Sequence, residues 1–264
     1  MAAVQIDLLI VLGIIGLAIL LFFLYVSGIE KVFERIGFSK GEAGTILLLT
    51  LILSGVSIPI FPYRGWWVGI SIGGALIPLI VCGYLVSSKR VLASEGLIGI
   101  VIVSFITYFI TRAEQNVGIV ADFPWAFAPA IAAGFFSLST FWIDIKKAAP
   151  LAYVSGVVGT LVGADIFHLA DILAFPAPSG FNLLSIGGAG IFDLVYLAGI
   201  IAVSVDVFVF WVKRQEKKHG FQKVVAEWER GAEGLPYAKD VKTTPPTVQV
   251  SPTLRPGRRG RLGE

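Results

Sequence analysis

Asp165, His168 and Asp171 stand three residues apart within one hydrophobic stretch, and Asp193 and Asp206 stand in the next. Side chains at three-residue steps share a helix face, so the first three form a polar stripe. A charge at the centre of a membrane costs on the order of 3 kcal/mol on insertion scales, so acids there pair, carry a proton or face water. Two such acids brought together share one proton and can serve a proton or cation path. Asp165 and Asp193 lead the candidates for that chemistry. Asp171 and His168 also fit the outer end of a helix at headgroup level, and Asp206 fits a structural pairing with Lys213. Asp165, His168 and Asp193 are acceptable metal donors at an unspecific spacing. No metal and no cofactor is expected, and His168 alone keeps a metal reading open.

A second group of candidates comes from glycine. Ser71-Ile72-Gly73-Gly74-Ala75 recurs 114 residues later as Ser185-Ile186-Gly187-Gly188-Ala189. Phe61-Pro62 and Phe175-Pro176 fall at the same offset, and Gly44-Thr45 matches Gly159-Thr160 with a slip of one. Three matches in order predict a duplication. Gly-Gly steps let helices pack closely, or let a membrane helix break so that free amides and carbonyls hold a solute. Both readings stay open for Ser71, Gly73, Gly74, Ser185, Gly187 and Gly188, and Pro78 would free a carbonyl near Gly74. Arg112, closing the fourth hydrophobic stretch, could reach down to Asp165 or Asp193 or snorkel to headgroups.

These residues must be held by helices within a bilayer. The chain is 56% hydrophobic and 15% charged, with a mean hydropathy of +0.83, far from a soluble domain. A spanning helix needs about 20 apolar residues. Seven stretches qualify: 6 to 27, 43 to 61, 66 to 86, 94 to 111, 124 to 142, 150 to 173 and 184 to 212. The first has no basic leader and no small-residue cleavage site, and reads as a retained helix. Lys31, Arg35 and Lys40 follow it, Lys89 and Arg90 follow the third stretch, and Lys146 and Lys147 follow the fifth, whereas the alternate loops hold Arg64 and Arg112. The basic loops belong in the cytoplasm. The predicted architecture is an all-α polytopic protein of the cell membrane, with about seven transmembrane helices, N-terminus out and C-terminus cytoplasmic. The duplication makes it a parallel 3+1+3 arrangement, with repeats at about 6–86 and 124–205 around a linker helix, 94–111.

Residues 1–212 are thus a transmembrane domain, and residues 213–264 a basic cytoplasmic tail, largely disordered, whose charge reports orientation and lipid contact. Cys82 is the single cysteine, so no internal disulfide forms and core packing is expected. The expected partners are membrane lipids, a small solute or ion and a second copy in a homo-oligomer, with no nucleic acid.

The runs Ile70–Pro78, Ala149–Gly156, Gly159–Asp165 and Ser185–Asp193 resemble the prokaryotic integral membrane family catalogued as domain of unknown function 1614. The resemblance implies a membrane protein of bacteria or archaea and carries no established activity. The family pattern has Asn where this chain has His168 and Gly where Leu194 stands, and the first departure counts against a metal. The acids on consecutive helices, with Gly188-Ala189-Gly190 before the second, are also similar to presenilin-like intramembrane aspartyl proteases, where one acid is protonated and one ionised. Two extra residues before Asp193, the lack of a Tyr before Asp165 and the lack of a Pro-Ala-Leu motif depart from that pattern. Whether the chain is an enzyme is left open. The reading is proton- or cation-coupled transport or permeation through Asp165 and Asp193, with a di-aspartyl protease or a structural, assembly role as alternatives.

Overall fold

Local sequence rules account for where the helices begin. Ser39 and Glu42 form a reciprocal capping box at the start of α2 (Lys40–Ile52), with the Glu42 carboxylate accepting from the Ser39 amide at 2.7 Å. That bond holds the Glu42 carboxyl below its usual range. The Asp144 side chain caps α6 (Ile145–Thr160) by accepting from the Lys146 amide at 3.0 Å. In the computed structural model, which describes residues 8–115, 117–142, 144–177, 180–188 and 194–233, the other helices are α1 (Leu8–Ile36), α3 (Ile77–Ser87), α4 (Ala93–Ile110), α5 (Ala128–Thr140), α7 (Leu169–Ala174) and α8 (Leu194–Glu233).

Each of the seven apolar stretches holds a helix. Among the described residues four helical runs are long and apolar enough to cross a membrane: Ile15–Ile36, Ala93–Ile110, Ile145–Ala174 and Leu194–Glu216. Ile72–Ser87 and Trp125–Thr140 are shorter apolar helices. The chain is a predominantly helical membrane protein.

The all-α expectation needs correction, because the described residues also contain five strands. β1 (Ser57–Tyr63) and β2 (Trp66–Ser71) form an antiparallel hairpin, and β5 (Asn182–Ile186) joins β2 in parallel. β3 (Thr111–Glu114) and β4 (Gly118–Ala121) form a second hairpin. Pro59 and Pro62 lack the amide hydrogen that a helix interior requires, and the register shift between Pro59 and Phe61 lets a strand accommodate them. Arg64 and Gly65 both have positive φ, at 48° and 86°, which matches the two-residue turn that suits a twisted hairpin. The stretches 43 to 61, 66 to 86 and 184 to 212 therefore each begin or end in a strand.

The core is built on small residues. Gly99 on α4 lies so close to α6 that a β-carbon there would stand 2.7 Å from that of Ser155, and one on Gly159 would stand 2.6 Å from that of Val103. Gly156 and Gly134 bring α6 and α5 against the α8 backbone in the same way. Tyr153, Tyr196, Leu151 and Val157 fill the centre at 0% exposure, and Cys82 is buried among them as a free thiol. Residues through Lys213 form one compact unit and residues from Arg214 a second. Beyond Glu233 the expected tail lies outside the described residues.

Candidate functional site

Asp165 sits on a widened π-helical segment, Leu161–Ile166, that continues α6. The segment approaches α4 at Gly163, where a β-carbon would stand 2.6 Å from that of Thr107 and closer still to the Ser104 carbonyl. This contact places the half-buried Asp165 on the wall of a cavity of about 560 Å³. The β3–β4 hairpin supplies another wall with Thr111 and Gly118 to Ala121, and β5 supplies Leu184 and Ser185. Gly188 and Leu194 also line it.

The expected site residues separate into three groups. Asp165, Ser185 and Gly188 share the cavity. The Ser185 hydroxyl lies 2.6 Å from that of Ser57, which ties β5 to the far strand of its sheet. Ser71, Gly73, Gly74 and Gly187 are buried and do packing. Ser71 Oγ accepts from the Gly74 amide at 3.1 Å, Gly73 abuts the Ser54 backbone, and Gly187 abuts Ala75 and Gly74, so that the two Gly-Gly steps touch. Asp193 lies outside the described residues.

Arg112 forms the third group, on the exposed face of β3. Its guanidinium donates to Glu114 at 2.9 Å and to both carboxylate oxygens of Asp122. The bonds to Asp122 and then Glu114 raise Arg112 above its ordinary value, and Arg112 in turn holds the Asp122 carboxyl below the usual range. The arrangement clamps the open end of the β3–β4 hairpin, whose Thr111 and Gly118 to Ala121 line the cavity.

His168 and Asp171 pair with one another. Nδ1 of His168 lies 2.9 Å from the Asp171 carboxylate and Nε2 3.2 Å from the Tyr108 carbonyl, with the ring stacked on Tyr108 at 4.8 Å. Both ring nitrogens are thereby engaged, and no cluster of three or more metal-binding side chains occurs among the described residues. The stripe from Asp165 to Asp171 thus has two uses, one end at a cavity and the other fastening α7 to α4.

Two features were not foreseen from sequence. The first is the β3–β4 hairpin as a cavity wall, signalled by the Glu114-to-Gly118 turn, where Gly118 has φ of 105°. The second is Asp206, whose partner is Ser137 at 2.7 and 3.0 Å, not Lys213. Lys213 instead lies over the Trp142 ring at 3.1 Å. Sixty-nine residues separate Asp206 from Ser137, and no periodicity links them.

No curated protein and no solved structure matches the chain. A family model does match residues 24–205, which include the cavity and both Gly-Gly steps. The chain belongs to the family described as "Protein of unknown function (DUF1614)".

Proposed function

We propose that the cavity beside Asp165 binds a proton or small cation in a transport or permeation protein, with Asp193 as its second acid. The observation that carries this reading is a carboxylate on the wall of a cavity of about 560 Å³, beside the hydroxyl-bearing Thr111 and Ser185. Polar groups of this kind inside a membrane domain mark ion paths, and π-helical turns concentrate at functional sites. Gly188 and Leu194, which flank the segment bearing Asp193, line the same cavity and support the pairing of the two acids.

The topology that suits this role has seven crossings, with the N-terminus outside and the C-terminus cytoplasmic. The strands support it. All five follow helices that would run outward, and β4 and β5 meet at one cavity. At the opposite end Arg90 donates to the Ile36 carbonyl at 3.2 Å, joining the first and third connections, and Lys213 donates to the Trp142 carbonyl at 3.5 Å. Parallel duplication is supported by β2 and β5, which pair side by side and each lead through a Gly-Gly step toward a helix, with equivalent residues two positions out of register.

Reconstitution of the full chain into liposomes containing a pH-sensitive dye tests the proposal. An imposed proton or cation gradient should dissipate faster than in protein-free liposomes, and Asp165→Asn should reduce the rate at least tenfold. Equal rates for wild type and Asp165→Asn would remove Asp165 from the path.

A further inference from the structure

A second cavity, of about 640 Å³, lies between α1 and α8 and shares no residue with the Asp165 site. Lys31 and Arg35, one turn apart on α1, line it together with Glu34. From α8 come Ser204, Phe208 and Trp211, at helical spacing along one face. Its position along the helices is informative. From Ile15 to Leu24, α1 exposes apolar side chains all round, including Phe23 at 66%, and the charged residues begin only beyond that run. Phe208 and Trp211 are 63% and 56% exposed, and their rings stack at 6.3 Å. Aromatic rings followed by basic residues at the end of an apolar span are the pattern of a headgroup boundary.

We propose that this cavity is a binding site for one anionic phospholipid. Lys31 and Arg35 hold the phosphate, a headgroup hydroxyl donates to the Glu34 carboxylate, and an acyl chain runs along Val207 and Phe208. Two cations and one anion leave the lining with a single net positive charge, which a phosphatidylglycerol-type lipid neutralises. A choline headgroup has no donor for Glu34 and adds a third cation beside Lys31 and Arg35, so it fits poorly. Basic pockets between transmembrane helices recognise lipids by this combination of charge and apolar contact. The site is independent of any transport activity at Asp165.

Native mass spectrometry of the full chain in mild detergent, titrated with phosphatidylglycerol or phosphatidylcholine, tests the site. One phosphatidylglycerol should be retained per chain in preference to phosphatidylcholine. Lys31→Gln with Arg35→Gln should lower that retention about thirtyfold, each basic group near the surface contributing an attraction of order 1 kcal/mol. Lys146→Gln with Lys147→Gln removes the same charge away from the cavity and should leave retention intact. Ser204→Leu fills the cavity without altering charge and should also lower retention, and an unchanged melting temperature in each variant certifies the fold. The proposal is overturned by equal retention of the two lipids, by retention insensitive to Lys31 and Arg35, by equal loss in the Lys146 and Lys147 variant, or by a lipid-free dimer that occupies this face.

Discussion

Asp206 is at 0% exposure on α8, and among the described side chains Ser137 on α5, also at 0%, reaches both of its carboxylate oxygens. The Ser137 hydroxyl further lies 2.8 Å from the Gly134 carbonyl, so one small side chain joins a buried acid to the backbone of the neighbouring helix. Leaving a buried polar group without its partner costs about 1–3 kcal/mol. Ser137→Ala should therefore destabilise the bundle by about that amount, seen as a lower melting temperature in detergent. Asp206→Asn retains an oxygen and an amide for Ser137 and should cost less than Ser137→Ala. An unchanged melting temperature in Ser137→Ala would show that this contact contributes nothing to the packing of α5 on α8.

At the scale of the element, the Gly-Gly steps and the outer hairpins decide where the cavity walls stand. Gly187 has φ of 68°, and a β-carbon there would come within 2.7 Å of that of Ala75. Gly187→Ala meets both backbone strain and overpacking, which together cost a few kcal/mol on typical values. It should separate β5 from the first Gly-Gly step, lowering stability and disturbing Asp165 from a distance. The clamp on the β3–β4 hairpin predicts a pH effect. The Asp122 carboxyl is held below its usual range by Arg112, so its contribution is present above the ordinary carboxylate pKa and is lost as pH falls through the depressed value. The difference in melting temperature between wild type and Asp122→Asn should thus be full at neutral pH and shrink in acid below about pH 4; a difference independent of pH would rule out the ion pair as its cause. The helices were legible because runs of apolar residues declare themselves without tertiary information. The strands were hidden by the same composition, since Ile58, Ile60 and Phe61 raise hydropathy whether the backbone is helical or extended. Local signals for the hairpin were present in Pro59, Pro62 and Arg64-Gly65, and they are outweighed when hydropathy is averaged over a helix-length window. Of the site, Asp165 was legible because an acid in an apolar stretch stands out. Thr111 was not, because a hydroxyl at the end of a helix carries no signal of the cavity that its neighbour makes.

At the scale of the whole molecule, the described contacts divide between two ends. Arg90 reaches the end of α1 and lies 5.9 Å from the Phe38 ring and 5.3 Å from the Tyr84 ring, gathering the first and third connections into one cluster. Trp66 donates from its indole nitrogen to the Phe175 carbonyl at 3.1 Å, gathering the first hairpin and the end of α7 at the other. A bundle in which successive apolar helices alternate in direction would produce this division. The basic residues Lys89, Arg90, Lys146 and Lys147 fall in the first set, and the hairpins in the second. The single Cys82 is buried at 4% exposure, which leaves the native chain a quiet background for cysteine labelling. Gln115→Cys, at the tip of the β3–β4 hairpin, should react with a membrane-impermeant thiol reagent in intact cells. Lys89→Cys and Lys147→Cys should react only after permeabilisation. Labelling of all three from outside would break the alternation of the helices, and the reverse pattern would keep the alternation while inverting the orientation that the basic loops imply.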